Sequence, residues 1–279
     1  MLVGPALEAQ TDQQPPEKET SGLINFMNRL PLLVNQDLPF LVPGGTYWFY
    51  ARPHFGDPFS GNYFRLDGGI WFKLTDHLDL NFGAQGYIWS DENANDATRY
   101  GFYGANTGIK YARPILSTEG SAFSVGANYS SPVGRPPLNL VDGMRHLDPY
   151  VTYTRPLVKS WKLVGFSSLG LDFMSHSAQP QQFSENVLHT NSINFSVGVS
   201  RQWQRFVGSV TLSGATTEFM SREGRQVVTL NPQVFVPLFA RRLPRWHLIG
   251  VLGLHANDGP DGHQFGANAA VNINFKSKP

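Results

Sequence analysis

The pair of segments flanking Thr75–His77 constrains the fold more than any other stretch. If Thr75, Asp76 and His77 close a three-residue turn, Leu74 faces Leu78, Phe72 faces Leu80 and Ile70 faces Phe82. Further out, Gly68 faces Ala84, Leu66 faces Gly86 and Phe64 faces Ile88. Each of these pairs is apolar or small. The opposite face then pairs Lys73 with Asp79, Trp71 with Asn81, Gly69 with Gly83, Asp67 with Gln85 and Arg65 with Tyr87. Opposite charges directly across an antiparallel ladder are favourable. A slip of one residue would carry Arg65, Asp67 and Lys73 onto the apolar face, so the pattern itself sets the register. Such a hairpin fits two settings: a soluble sheet with its apolar face buried, or a wall with lipid on one side and water on the other.

From residue 46 onward the same rule recurs and no helical period survives. Alternating segments run near 46–56, 62–74, 78–89, 99–111, 122–131, 144–156, 161–174, 191–202, 205–217, 225–239, 245–256 and 264–275. In one, Ile193, Phe195, Val197 and Val199 alternate with Asn194, Ser196, Gly198 and Ser200. In the last, Phe265, Ala267, Ala269, Val271, Ile273 and Phe275 alternate with Gly266, Asn268, Ala270, Asn272 and Asn274. Pro232 and Pro237 each remove a ladder donor, which predicts a bulge or a break in pairing there. Short links ("TDH", "ARPILSTEGS", "RPLVKS", "RQWQ", "ARRLP") alternate with links that are mostly longer and polar, such as "SDENANDAT", "SPVGRPPLNLVDG" and "SHSAQPQQFSENVLHTN". "NDGPDGH" before the last segment is placed in the long set.

Composition helps decide between the two settings. Charged residues are 15% of the chain, against roughly 25% in soluble domains. The polar face holds Asn, Gly, Ser, Gln and a few opposed charges, where the outer face of a soluble sandwich carries Lys, Glu and Thr. No window approaches the roughly 18 apolar residues of a membrane helix, but a closed barrel is the other structure that spans a bilayer. Aromatic residues sort towards segment ends: Tyr47, Trp48, Trp71, Tyr111, Tyr153, Trp161, Trp203 and Trp246 at the short-link side, and Tyr63, Tyr87, Trp89, Tyr100 and Tyr129 at the long-link side. Two such belts are what membrane interfaces select. The expected fold is therefore all-β: a closed, antiparallel, up-and-down transmembrane β-barrel of about twelve strands with short periplasmic turns and longer extracellular loops. An even strand number puts both termini on the periplasmic side of a bacterial outer membrane.

The alternation over 46–275 and the "LTDHLDL" turn resemble Gram-negative outer-membrane β-barrels. More narrowly, Leu74, Thr75, Asp76, Leu78, Asp79 and Leu80 are similar to a turn found in MetA-like outer-membrane transporters of aromatic-degradation operons. The resemblance implies a transporter inserted by the barrel-assembly machinery. Such barrels often end on an aromatic residue. Phe275 matches that position, with "KSKP" following it as a departure.

Two domains are expected: an N-terminal extension over 1–45 and the barrel over 46–276. Within the extension, "MLVGPALEA" reads as a signal remnant, "TDQQPPEKETSG" as a flexible lead-in, and the stretch after it as a short amphipathic segment interrupted by Pro31, Pro39 and Pro43. That segment packs under the domain or, in a sharper reading, serves as a plug or interfacial anchor.

The charge distribution also sorts. Arg113, Arg155, Lys159, Lys162, Arg201, Arg205, Arg241, Arg242 and Arg245 lie at short links, while Asp91, Glu92, Asp96, Asp142, Glu185, Glu223, Asp258 and Asp261 lie in long ones. The formal net charge of +1 argues against a nucleic-acid binder, which usually shows a basic excess. No cysteine is present, which removes disulfides, thiolate metal sites and a cysteine nucleophile.

For enzymes, His146 and Asp148 share a strand face, and His176 lies beside Ser177. Neither forms a lipid-hydrolase signature. No metal-ligand spacing, nucleophile elbow or phosphate loop is present. The expectation is a non-enzymatic channel for a small solute, with no cofactor and no metal. A filled structural or assembly barrel and an outer-membrane lipid hydrolase or deacylase are the alternatives. The candidate lumen residues are Arg52, Arg65, Asp67, Lys73, Asp79, Gln85, Asn106, Lys110, Asn128, Asn194, Asn231, Gln233, Asn268 and Asn272. Expected partners are outer-membrane lipid and lipopolysaccharide, the solute, the assembly machinery, and a protein partner or second copy.

Overall fold

A computed structural model describes residues 47–55, 63–89, 100–115, 120–134, 143–177, 191–217, 226–238, 246–259 and 262–276. The expected N-terminal extension lies outside them. The described residues form strands β1 (Tyr47–Phe55), β2 (Tyr63–Thr75), β3 (Leu78–Trp89), β4 (Tyr100–Pro114), β5 (Ala122–Pro132) and β6 (Met144–Val158). They continue as β7 (Leu163–His176), β8 (Ser192–Gln202), β9 (Val207–Thr216), β10 (Gln226–Leu238), β11 (Trp246–Gly259) and β12 (Gly262–Lys276). Each strand lies antiparallel to its sequence neighbours, and β1 also pairs with β12, so the order runs round as a closed ring without a free edge. Among the described residues, no helix is long and apolar enough to cross a membrane.

The β2–β3 register is the one the alternation predicts from Phe72–Leu80 out to Phe64–Ile88. The turn differs. Thr75, not Leu74, pairs with Leu78, and the register shifts between Lys73 and Thr75. The turn is thus tighter than the three-residue form expected, with Leu74 bulged and exposed to the outside. The His77 amide donates to Thr75 Oγ1 at 3.2 Å and steadies the tight turn.

At Pro232 the expected interruption is a break, not a bulge. Pairing with β11 lapses between Leu230–Ala256 and Gln233–Gly253 without a change of register, while pairing with β9 continues through Pro232–Val210. Missing one donor costs one rung on one side. Pro237 lies beyond the last β9–β10 pair.

The link before β12 is a correction. "NDGPDGH" is not a long loop: the two strands extend into it until Gly259 pairs with Gly262, leaving residues 260–261 between them. Gly262 has φ +100°, a conformation that side chains disfavour, which lets the hairpin close tightly.

The faces are inverted relative to a soluble sheet. Outward positions carry Phe82, Ile88, Ile109, Val151, Leu169, Phe195, Val197, Leu212, Leu230 and Leu254, all exposed, and Leu252 reaches 63% exposure. Inward positions bury Asp79, Asn81, Lys110, Ser124, Thr152, Thr154, Ser196, Ser200, Ser209 and Thr211. Soluble monomers rarely expose contiguous apolar patches above about a few hundred Å². Here an apolar face runs along strand after strand.

Candidate functional site

Period-two alternation on a closed ring sends every second side chain to the axis. The site is therefore the inner wall, built from the polar face of each strand.

The β1–β4 sector holds most of its charge. Across successive strands, Arg52 pairs with Asp67, Asp67 with Gln85 and Gln85 with Gly104. Between Gln85 and Gly86 the β3–β4 register shifts, leaving Tyr103 as an extra residue on β4. The bulge turns Tyr103 inward, where it is buried beside Tyr87, the ring centroids 6.4 Å apart. Its hydroxyl donates to Asp67 Oδ1 at 3.0 Å. Bulges commonly re-aim a side chain in this way. Arg65, opposite Tyr87, completes the cluster. Tyr50 lies flat against the same wall: a Cβ at Gly69 would meet the Tyr50 hydroxyl at 2.5 Å, so only glycine admits the ring there. The Arg52 guanidinium stacks on the Tyr50 ring, 4.8 Å from its centroid.

Nearer the short-link end, Asp79 is fully buried and sits between Lys73 and Lys110 in the ladder. A buried carboxylate without a countercharge would cost about several kcal/mol, and two cations on the adjacent strands offset that. The Lys110 ammonium also lies 4.7 Å from the Trp71 ring centroid. Lys73 places its ammonium 3.1 Å from Asp76 in the turn.

The β5–β7 sector holds a second cluster. His146 Nδ1 lies 3.0 Å from both oxygens of Asp172 on the neighbouring strand. Asp148 shares the face of His146, as the sequence spacing implies, and stands opposite Asn128 on β5. From β8 to β12 the inner wall has few charges. Asn231 and Gln233 stand opposite the buried Thr211 and Ser209, and the Ser192 hydroxyl donates to Asn194 Oδ1 at 3.2 Å. The short-link end from β7 to β11 is apolar inside, with Val164, Phe166, Val207, Phe235, Ile249 and Val251 buried.

The lumen candidates thus group as Arg52, Arg65, Asp67 and Gln85; then Lys73, Asp79 and Lys110; then Asn106 and Asn128, on β4 and β5 opposite Gly83 and Gly108. Asn194, Asn231 and Gln233 line the other side, apart from the charged groups. Asn268 and Asn272 stand opposite Gly253 and Ile249 on β11. Their side chains lie outside the described part of the structure.

Sequence reasoning missed Tyr50, Tyr103 and Asp172. It also put Trp71 and Tyr87 in the membrane belts, although both belong to the inner wall, as their hairpin partners Asn81 and Arg65 already imply. Tyr100, Tyr129, Tyr153, Trp161 and Trp203 are exposed, as a belt requires.

Neither a protein-family model nor a curated protein sequence matches the chain. Solved structures do. The KdgM porin in complex with disordered oligogalacturonate superposes with a TM-score of 0.50 at 8% identity, covering 82% of this chain and 99% of that one. The NanC porin gives 0.49 at 9%, covering 83% and 100%. The outer membrane channel from Pseudomonas putida F1 gives 0.49 at 11%, covering 86% and 98%. At such identities the likeness is one of fold. The chain has the all-β, antiparallel, up-and-down fold of an outer-membrane porin.

Proposed function

We propose that the chain is a passive channel for a small, polar solute in the bacterial outer membrane. In this reading the ring is a closed transmembrane barrel, both termini are periplasmic, and it works without a cofactor, as a relative of MetA-like transporters. The observation that carries the proposal is the inverted wall: exposed apolar side chains outside, charged and amide side chains inside. Lipid suits the first face and water the second. The buried side-chain oxygens of Asn231 and Asn257 have no protein hydrogen-bond partner, as befits a hydrated interior.

The solute class follows from the β1–β4 wall. Arg52, Arg65, Lys73 and Lys110 outnumber Asp67 and Asp79 there, which favours anionic solutes. The complex of KdgM with oligogalacturonate supports a small solute as the ligand of this fold. The test is single-channel recording in planar bilayers. Discrete conductance steps are expected, and exchanging Arg65 and Lys73 for glutamate should shift the reversal potential in a salt gradient towards cations. Repeated insertions without conductance would refute the channel and leave a filled structural barrel.

A further inference from the structure

Arg201 is out of place. It lies on β8 in phase with Val197 and Val199, on the outer apolar face, and its ladder neighbours are Leu163 on β7 and Gly208 on β9. At this edge of the wall an outward cation costs little, so its surroundings decide what it does. No ion pair holds Arg201 among the described residues. Instead its guanidinium carbon lies 5.1 Å from the Trp161 ring centroid and 4.9 Å from that of Trp203, and its buried Nε has no hydrogen-bond partner.

The surroundings are built to hold it so. Trp203 stacks on Phe206 at 4.8 Å within the β8–β9 turn. The indole also lies across Gly208, where a Cβ would come within 2.8 Å of it, so the ring needs glycine at that point. Two rings thus fix the guanidinium at the short-link edge of the wall, with Lys162 and Arg205 in the flanking turns. Immediately beyond Arg201 the outer face dips into an apolar groove of about 650 Å³ over β8–β11, walled by Val199, Val210, Pro232, Val234, Leu252 and Leu254.

We infer that this is a binding site for one glycerophospholipid of the inner leaflet, with its phosphate on Arg201 and an acyl chain in the groove. The site rests on the membrane reading proposed above. A planar guanidinium matches phosphate oxygens in a two-pronged contact, and stacking against ring faces does not use up its in-plane donors. The unpaired positive charge calls for an anion, and the adjoining groove calls for a hydrocarbon chain. A phospholipid at the membrane edge supplies both at once, whereas free phosphate would leave the groove unused.

Native mass spectrometry of the full chain, released from dioleoylphosphatidylglycerol nanodiscs, tests this. The wild type should retain one phospholipid. Arg201→Gln should retain roughly tenfold less, and Val210→Trp, which fills the groove, should lose it while keeping the cation. Arg145→Gln, at the opposite end of the wall, should match the wild type. Added inorganic phosphate should not displace the lipid. Equal retention by wild type, Arg201→Gln and Val210→Trp would overturn the site, as would full displacement by phosphate. Flotation with phosphatidylglycerol vesicles separates the two levels. If the wild type does not float, the membrane reading fails. If it floats but shows no dependence on Arg201 or Val210, only the lipid site fails.

Discussion

Tyr103 reaches Asp67 because β4 carries one extra residue beside Gln85. Without the bulge, strict alternation from Gly104 would send the phenol outward and Phe102 inward. A hydrogen bond to a charged acceptor contributes about 1.5–3 kcal/mol when protected, and less where water competes. Tyr103→Phe should therefore lower unfolding stability by about 1–2 kcal/mol, read as a lower urea midpoint in lipid vesicles with an unchanged slope. Gly69→Val should cost about 1–3 kcal/mol, because its Cβ meets the Phe82 backbone carbonyl and drives Tyr50 off the wall, checked in the same titration. These contacts were hard to see in the sequence. The run "YGFYGAN" shows two aromatics between glycines, but nothing local says which of them the bulge turns inward. Asp172 was missed for another reason: its partner, His146, stands on the neighbouring strand, 26 residues away in the sequence.

Within a strand, neighbouring residues face different solvents, and β10 shows it plainly. Leu230 is exposed on the outer face, while Asn231 pairs with buried Thr211 inside. Arginine on the lipid face near mid-membrane costs about 2–4 kcal/mol. Leu230→Arg should lose that much stability or fail to insert, whereas Asn231→Arg should insert normally and change conductance. Heat-modifiable migration in detergent gels checks both. A soluble sandwich would give the reverse order. The strands themselves were legible because period-two alternation is a local property, and the β2–β3 register follows from it residue by residue. The β11–β12 turn was misread because "NDGPDGH" has loop composition, although its glycines close a tight hairpin. The turn at Thr75–Leu78 slipped by one for a related reason, since alternation says nothing about a bulged Leu74.

At the scale of the whole molecule, the closing contact between β1 and β12 joins segments at opposite ends of the sequence, so no local pattern could reveal it. Only the even strand number and the need to remove sheet edges hinted at it. The chain lacks cysteine, which makes the contact easy to probe. Ala51 and Ile273 are direct ladder partners. The double variant Ala51→Cys with Ile273→Cys should oxidise to an intramolecular disulfide, visible as a mobility shift in a denaturing gel that reductant reverses. Absence of the cross-link would mean the ring is open there. The central claim is that water fills the inside of this ring and lipid covers the outside. Substituted-cysteine recording in planar bilayers tests it most directly, using Asn194→Cys on the inner face of β8 and Phe195→Cys on the outer face. A charged methanethiosulfonate reagent should lower the current in steps at Asn194→Cys and leave Phe195→Cys unchanged. Block at Phe195→Cys alone, or no conductance from either protein, would contradict the claim.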